Sequence, residues 1–150
     1  MDRVAILNPL IVGISVILCT LVIHGGALAA ILRFVQHERR VGHVGVSFWI
    51  DLSGVATAVM LLLMAHLIEI GVWAVLLVVI GEFQGSGIAF YHSAMNYTSL
   101  GYGDIVMTPA WKMLGPLEAT NGMLMFGVST AIIFTTIQRR VEVRFQDSRA

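Results

Sequence analysis

The chain has 150 residues, of which 57% are hydrophobic and 12% charged, and its mean hydropathy is +0.86. Ordinary soluble domains carry about twice that charged fraction, so the composition is that of an integral membrane protein. A formal net charge of zero argues against a nucleic-acid partner. The single cysteine, Cys19, offers no disulfide framework and no metal-ligand spacing, and reads as a small apolar packing residue.

Three segments reach the roughly 20 apolar residues that a bilayer crossing needs. The first runs from about Ile6 to Val35. His24-Gly25-Gly26 interrupts it and predicts a kink or a close neighbour. Arg3, the apolar run and Ala27-Leu28-Ala29 imitate a cleavable leader. The run continues to Phe34, however, and cleavage would carry the later segments to the wrong face, so the segment is expected to remain as a span. A loop with Arg33, Arg39 and Arg40 follows.

The second segment runs from about Val46 to Ile80. As one helix it would be about 52 Å long, against a hydrocarbon core near 30 Å. A break at Glu69-Ile70-Gly71 would make two shorter spans, but four spans would put Arg39-Arg40 outside, against the positive-inside rule. One long helix is therefore expected. Turn-forming residues fill Gly81 to Gly87, a short amphipathic run covers Ile88 to Thr98, and the third apolar segment covers about Leu114 to Ile137. The tail holds Arg139, Arg140, Arg144 and Arg149. With both arginine-rich stretches cytoplasmic, the N-terminus lies outside, the C-terminus inside, and the loop between the second and third spans at the outer side. The expected division is an N-terminal helix with its loop over 1–45, a central module over 46–140 and a short tail over 141–150.

That outer loop carries Thr98-Ser99-Leu100-Gly101-Tyr102-Gly103-Asp104. Glycine tolerates backbone angles other residues avoid, and at alternate positions it lets successive carbonyls face one way. A ring of carbonyls can replace the water around a dehydrated cation. The segment resembles the selectivity filter of potassium channels, and the resemblance extends over about Leu52 to Gln138. In that family an outer helix leads to a turret, a pore helix descends part way into the membrane, the filter climbs out and an inner helix lines the cavity. The second span, Gly81–Gly87, Ile88–Thr98, Ser99–Gly103 and the third span match those parts in order, with Asp104 as the filter-closing aspartate and Trp111 as the aromatic before the inner helix.

The resemblance implies an all-α membrane fold: a potassium-channel-like pore module with one extra N-terminal transmembrane helix, packed outside the outer helix. It implies that carbonyls of Ser99, Leu100, Gly101 and Tyr102, with the Ser99 hydroxyl, bind potassium, while the side chains of Leu100 and Tyr102 pack behind the filter. One chain supplies one filter segment, so a closed ring requires a homotetramer. Gly122 and Gly127 stand where the family has hinge glycines, and serve either bending or close packing. Ser99 replaces the usual threonine and Leu100 a valine or isoleucine. Met95 stands where some members place a glutamate that bonds the filter aspartate, and Tyr91-His92 replaces a tryptophan pair. Asn96 or Tyr97 would then supply the polar contact.

His66 and Glu69 fall three apart on one helix face. Ionisable residues at that depth are costly and mark function by default, here a proton-sensitive pair or a pair satisfied by a polar group of the first helix such as His24. Along the sequence the histidines show no ligand spacing, so no metal site is expected. Glu118 suits the first turns of the inner helix and would brace the pore helix. Asp51 is expected to be interfacial, and Arg139 and Arg140 to meet lipid headgroups. No helix carries arginine at every third position, so a voltage sensor is absent from the sequence. The gate is expected in the filter or near Ile133–Ile137. The expected activity is passive potassium conduction in the plasma membrane, with no enzyme chemistry and no cofactor besides the permeant ion. A weakly selective cation channel and a non-conducting accessory subunit are the alternatives.

Overall fold

The computed structural model describes residues 2–42 and 44–147, which form four helices: α1 (Asp2–Arg40), α2 (Phe48–Val79), α3 (Ser86–Tyr97) and α4 (Leu114–Asp147). α1, α2 and α4 are long and apolar enough to cross a membrane, whereas α3 has only 12 residues. The fold is the all-helical arrangement expected, a multi-pass membrane protein with a short helix between its second and third spans.

α2 is a single helix of 32 residues with no break at Glu69-Ile70-Gly71. Its start is defined locally. Gly45 takes φ +85°, Ser47 is extended, and Asp51 in the first turn accepts the Gly45 N–H at 3.1 Å. Its end is a left-handed stop: Gly81 at φ +79° turns the chain so that the Glu82 N–H reaches back to the Leu77 carbonyl at 3.0 Å. α3 then buries Ala89, His92, Ser93 and Tyr97, the three-to-four spacing of one helix face.

Three expectations are corrected. The helix α1 runs unbroken through His24-Gly25-Gly26, and nothing lies within 4 Å of a Cβ built on Gly25 or Gly26. The close approach occurs instead at Gly13, whose Cβ would sit 2.5 Å from Leu117 Cδ1. α1 also does more than cover the outer helix. It packs against both α2 and α4, because its polar groups find partners on each: Asn121 Nδ2 of α4 donates to Thr20 Oγ1 at 2.9 Å. Finally, α4 does not stop near Ile137 but continues through the predicted tail to Asp147, and residues 148–150, Arg149 included, lie outside the described residues.

Within a bilayer, lipid tails are as apolar as leucine, so helices associate through close packing and polar contacts rather than water exclusion. The packing follows that logic in layers. Near the filter end, Trp73, Leu77, Ala89, Tyr97, Leu114 and Met125 form one apolar cluster. Toward the other end, Ile31, Ala58 and Leu62 form a second. Buried polar side chains lie between them, and an ion cluster closes the end where α1 and α4 finish.

Candidate functional site

The C-terminus of α3 leads directly into the filter segment. The Ser99 N–H donates to the Asn96 carbonyl at 2.8 Å, and the N–H groups of Leu100 and Gly101 both reach the Met95 carbonyl, at 2.9 and 3.1 Å. Beyond this, the backbone alternates in hand. Ser99, Gly101 and Gly103 take φ values of +58°, +55° and +73°, while Leu100 and Tyr102 between them stay at negative φ. In such an alternation successive peptide planes turn the same way, so neighbouring carbonyls can line one side, the arrangement a cation filter requires. Glycine adopts the left-handed hand without penalty. Ser99 does not, at a cost of about 1–2 kcal/mol. A β-branched residue is worse there still, which gives a local reason for serine where the resembling channels carry threonine.

Residues Thr98 to Asp104 are exposed in the protomer. Leu100 is 52% exposed and Tyr102 67%, so within one chain neither packs behind the filter. Beside them opens a cleft of about 560 Å³ lined in part by Met95, Ser99, Gly101, Gly103 and Asp104.

The far end of the loop is fastened at two points, neither of them anticipated. Tyr91 donates its hydroxyl proton to Asp104 Oδ2 at 2.9 Å. The carboxylate that accepts this bond holds the Tyr91 phenol above its usual range. Asn96 and Tyr97 do not make this contact. The Asn96 amide lies 3.1 Å from His92 Nδ1, and Tyr97 turns into the core. His92 is buried, and that burial lowers its affinity for a proton. At the second point, Glu82 of the turret accepts the Thr108 N–H at 2.8 Å and the Thr108 hydroxyl at 2.5 Å. Nothing in the spacing flags Glu82 and Thr108, but Tyr91 lies two turns before the filter on the helix that feeds it. Replacing Tyr91 by phenylalanine is expected to leave the fold intact within about 1 kcal/mol, as loss of one neutral donor implies. It should also free Asp104 from the side-chain hydrogen bond that holds it, and thermal unfolding in detergent checks that the change in stability is small.

Below the filter, His66 and Glu69 do meet, and they recruit every helix. His66 Nδ1 lies 3.5 Å from Glu69 Oε2 and 3.2 Å from the Tyr97 hydroxyl, which itself donates to Glu69 Oε2. His24 Nδ1 of α1 lies 2.9 Å from Glu69 Oε1. Ser129 Oγ of α4 faces both Nε2 atoms, 2.9 Å from His66 and 3.3 Å from His24. All five side chains are buried, Glu69 and Tyr97 completely. Along the sequence these histidines are scattered, but packing brings the ligand atoms of His24, His66 and Glu69 within 4.8 Å of one another, a proximity the sequence spacing does not reveal.

The remaining candidates divide. A Cβ on Gly122 would run into the Tyr97 carbonyl, so Gly122 admits the pore helix, whereas nothing lies within 4 Å of Gly127. Glu118 is fully buried against Ser93 and Asn96 of α3, close enough to interact but without a formed hydrogen bond at either carboxylate oxygen. Arg140 does not reach for headgroups. It is buried, paired with Glu38 of α1 and with Asp51 of α2, the latter at 3.3 Å. Arg139 is exposed as expected.

A family model described as ion channel matches residues 61–139, just over half of the chain. The match begins within α2 and ends near the predicted gate, and so takes in α3, the filter segment and most of α4. Comparison with curated proteins and with solved structures returned no match.

Proposed function

The chain belongs to the ion-channel family of two-helix, potassium-channel-like pore domains, and from that premise we propose that it is a passive, potassium-selective channel formed by four copies of the chain. The observation that carries this reading is the alternating hand of Ser99, Gly101 and Gly103 directly after a short helix between two spans. Carbonyls of Ser99, Leu100, Gly101 and Tyr102, brought together by four copies, form stacked cages for dehydrated potassium. The exposure of Leu100 and Tyr102 supports the assembly, since in the ring a neighbouring copy covers them. The arginine-rich ends of α1 and α4 lie together, which supports a cytoplasmic C-terminus and an outer filter.

Potassium flux from liposomes tests the reading. The purified protein is expected to pass potassium and little sodium. Gly101→Ala should reduce flux to background, because an alanine at φ +55° pays about 1–2 kcal/mol in each subunit and is relieved by turning its carbonyl off the axis. Equal flux of both ions would replace the reading with a weakly selective cation channel. A monomer without flux would replace it with an accessory subunit.

A further inference from the structure

The polar cluster beneath the filter has a hydrogen count that does not close while both histidines are neutral. Glu69 as a carboxylate only accepts, so the His24 Nδ1 that faces it at 2.9 Å must carry a proton. Tyr97 spends its own proton on Glu69, so the contact between its oxygen and His66 Nδ1, at 3.2 Å, requires a proton on His66 Nδ1 as well. Both neutral rings then present bare Nε2 lone pairs to Ser129 Oγ, which has one proton for two acceptors at 2.9 and 3.3 Å. With both rings neutral, one of these five buried contacts is left without a hydrogen, and either a second proton on one imidazole, facing the Glu69 carboxylate, or a cation among the ring nitrogens resolves it.

A divalent ion on the Nδ1 side is the resolution for which the cluster already holds a ligand set, since the ligand atoms of His24, His66 and Glu69 lie within 4.8 Å of one another. It would take the Nδ1 lone pairs of His24 and His66 and Oε1 of Glu69, whose Oε2 keeps the hydrogen bond that Tyr97 donates. The ring protons move to Nε2, where each donates to one of the two lone pairs of Ser129 Oγ, the outer contact that fixes a metal-bound imidazole. A tetrahedral zinc with bonds of about 2.0–2.1 Å sets its ligands about 3.3 Å apart, and His24 Nδ1 already lies 2.9 Å from Glu69 Oε1. The Glu69 carboxylate offsets one of the ion's two charges. Two imidazoles with one carboxylate fit a first-row transition ion and not magnesium or calcium, which prefer six or more oxygens.

We propose that His24, His66 and Glu69 form a buried zinc site, oriented by Ser129 and by the Tyr97 hydrogen bond to Glu69, that ties the N-terminal helix to the base of the pore helix.

The test uses the full chain in detergent, stripped with chelator and titrated with cobalt(II), and its readout does not pass through conduction. The expected result is a visible absorption of tetrahedral cobalt that saturates at one ion per chain and is displaced by zinc. Ser129→Ala should keep the bands and weaken binding by about 10–100-fold. Glu69→Gln, checked for helicity and elution volume, should lose them. His24→Cys keeps a ligand at that position and should add a sulfur-to-cobalt charge-transfer band in the near ultraviolet. The proposal is overturned by a wild-type protein that shows no tetrahedral bands, by bands that persist in a folded Glu69→Gln, or by a His24→Cys spectrum identical to the parent's.

Discussion

Arg140→Ala is expected to lower stability by about 3–5 kcal/mol, the range for removing one partner of a buried ion cluster. The guanidinium joins α4 to Glu38 of α1 and Asp51 of α2, and Gly54 forms the floor on which it rests, since a Cβ there would strike it. Alanine takes the Arg140 charge away from two carboxylates, Glu38 and Asp51, in a buried site. Lysine would not repair this, because a point charge on a flexible stem does not reproduce a planar fork that reaches two acids. The control lies next door: Arg139 is exposed, and Arg139→Ala should change stability by no more than about 0.5 kcal/mol. Thermal unfolding of both variants in detergent decides the matter, and equal midpoints would remove the clamp from the account.

Gly122→Ala is the second large effect, and it is read against Gly127→Ala. The added methyl at 122 meets the backbone carbonyl of Tyr97, not a side chain that can swing aside. Overpacking of this kind costs about 1–3 kcal/mol, and here the obstacle is backbone. Relief requires moving Tyr97, whose helix end holds Leu100 and Gly101 by their N–H groups. Potassium flux is therefore expected to fall to background along with stability. Gly127 faces open space in the protomer, so Gly127→Ala should fold and gain up to about 1 kcal/mol of helix stability. If both variants conduct like the parent, neither glycine is positioned by the pore helix. If only Gly127→Ala conducts, with altered opening, the two residues that look alike in the sequence have separate duties.

The existence and order of the helices were legible because hydropathy over twenty residues reports directly on a bilayer. The glycine-rich turn was legible because its alternation is a local backbone requirement. What escaped was whatever depends on a partner far along the chain. Arg139 and Arg140 are equivalent to any scale, yet one is exposed and the other buried, because Glu38 stands opposite only one of them. The glycine pair at 25–26 looked like the point of close approach, but that point is Gly13, set by where Leu117 arrives. Met95 removed the expected partner of Asp104, and Tyr91 took the role from one turn earlier on the same helix, a substitution by geometry that residue-for-residue matching cannot see. His24, His66 and Glu69 are spaced for nothing in sequence and meet only because α1 lies in the groove between α2 and α4.

The contacts from α1 to α4 also bear on how the chain is made. Thr20 meets Asn121, and His24 meets Ser129, across sequence separations of 101 and 105 residues. A helix synthesised first thus enters the bilayer with side chains whose partners have not yet left the ribosome. Thr20 can wait, since its hydroxyl reaches back to the Ile17 carbonyl at 2.9 Å. His24 has no such local refuge until α2 brings Glu69 alongside, so insertion proceeds by successive captures: α2 takes the histidine, and only α4 completes it. Contacts this distant in sequence close only after the intervening chain is made, so α1 completes its buried polar contacts last, with α4.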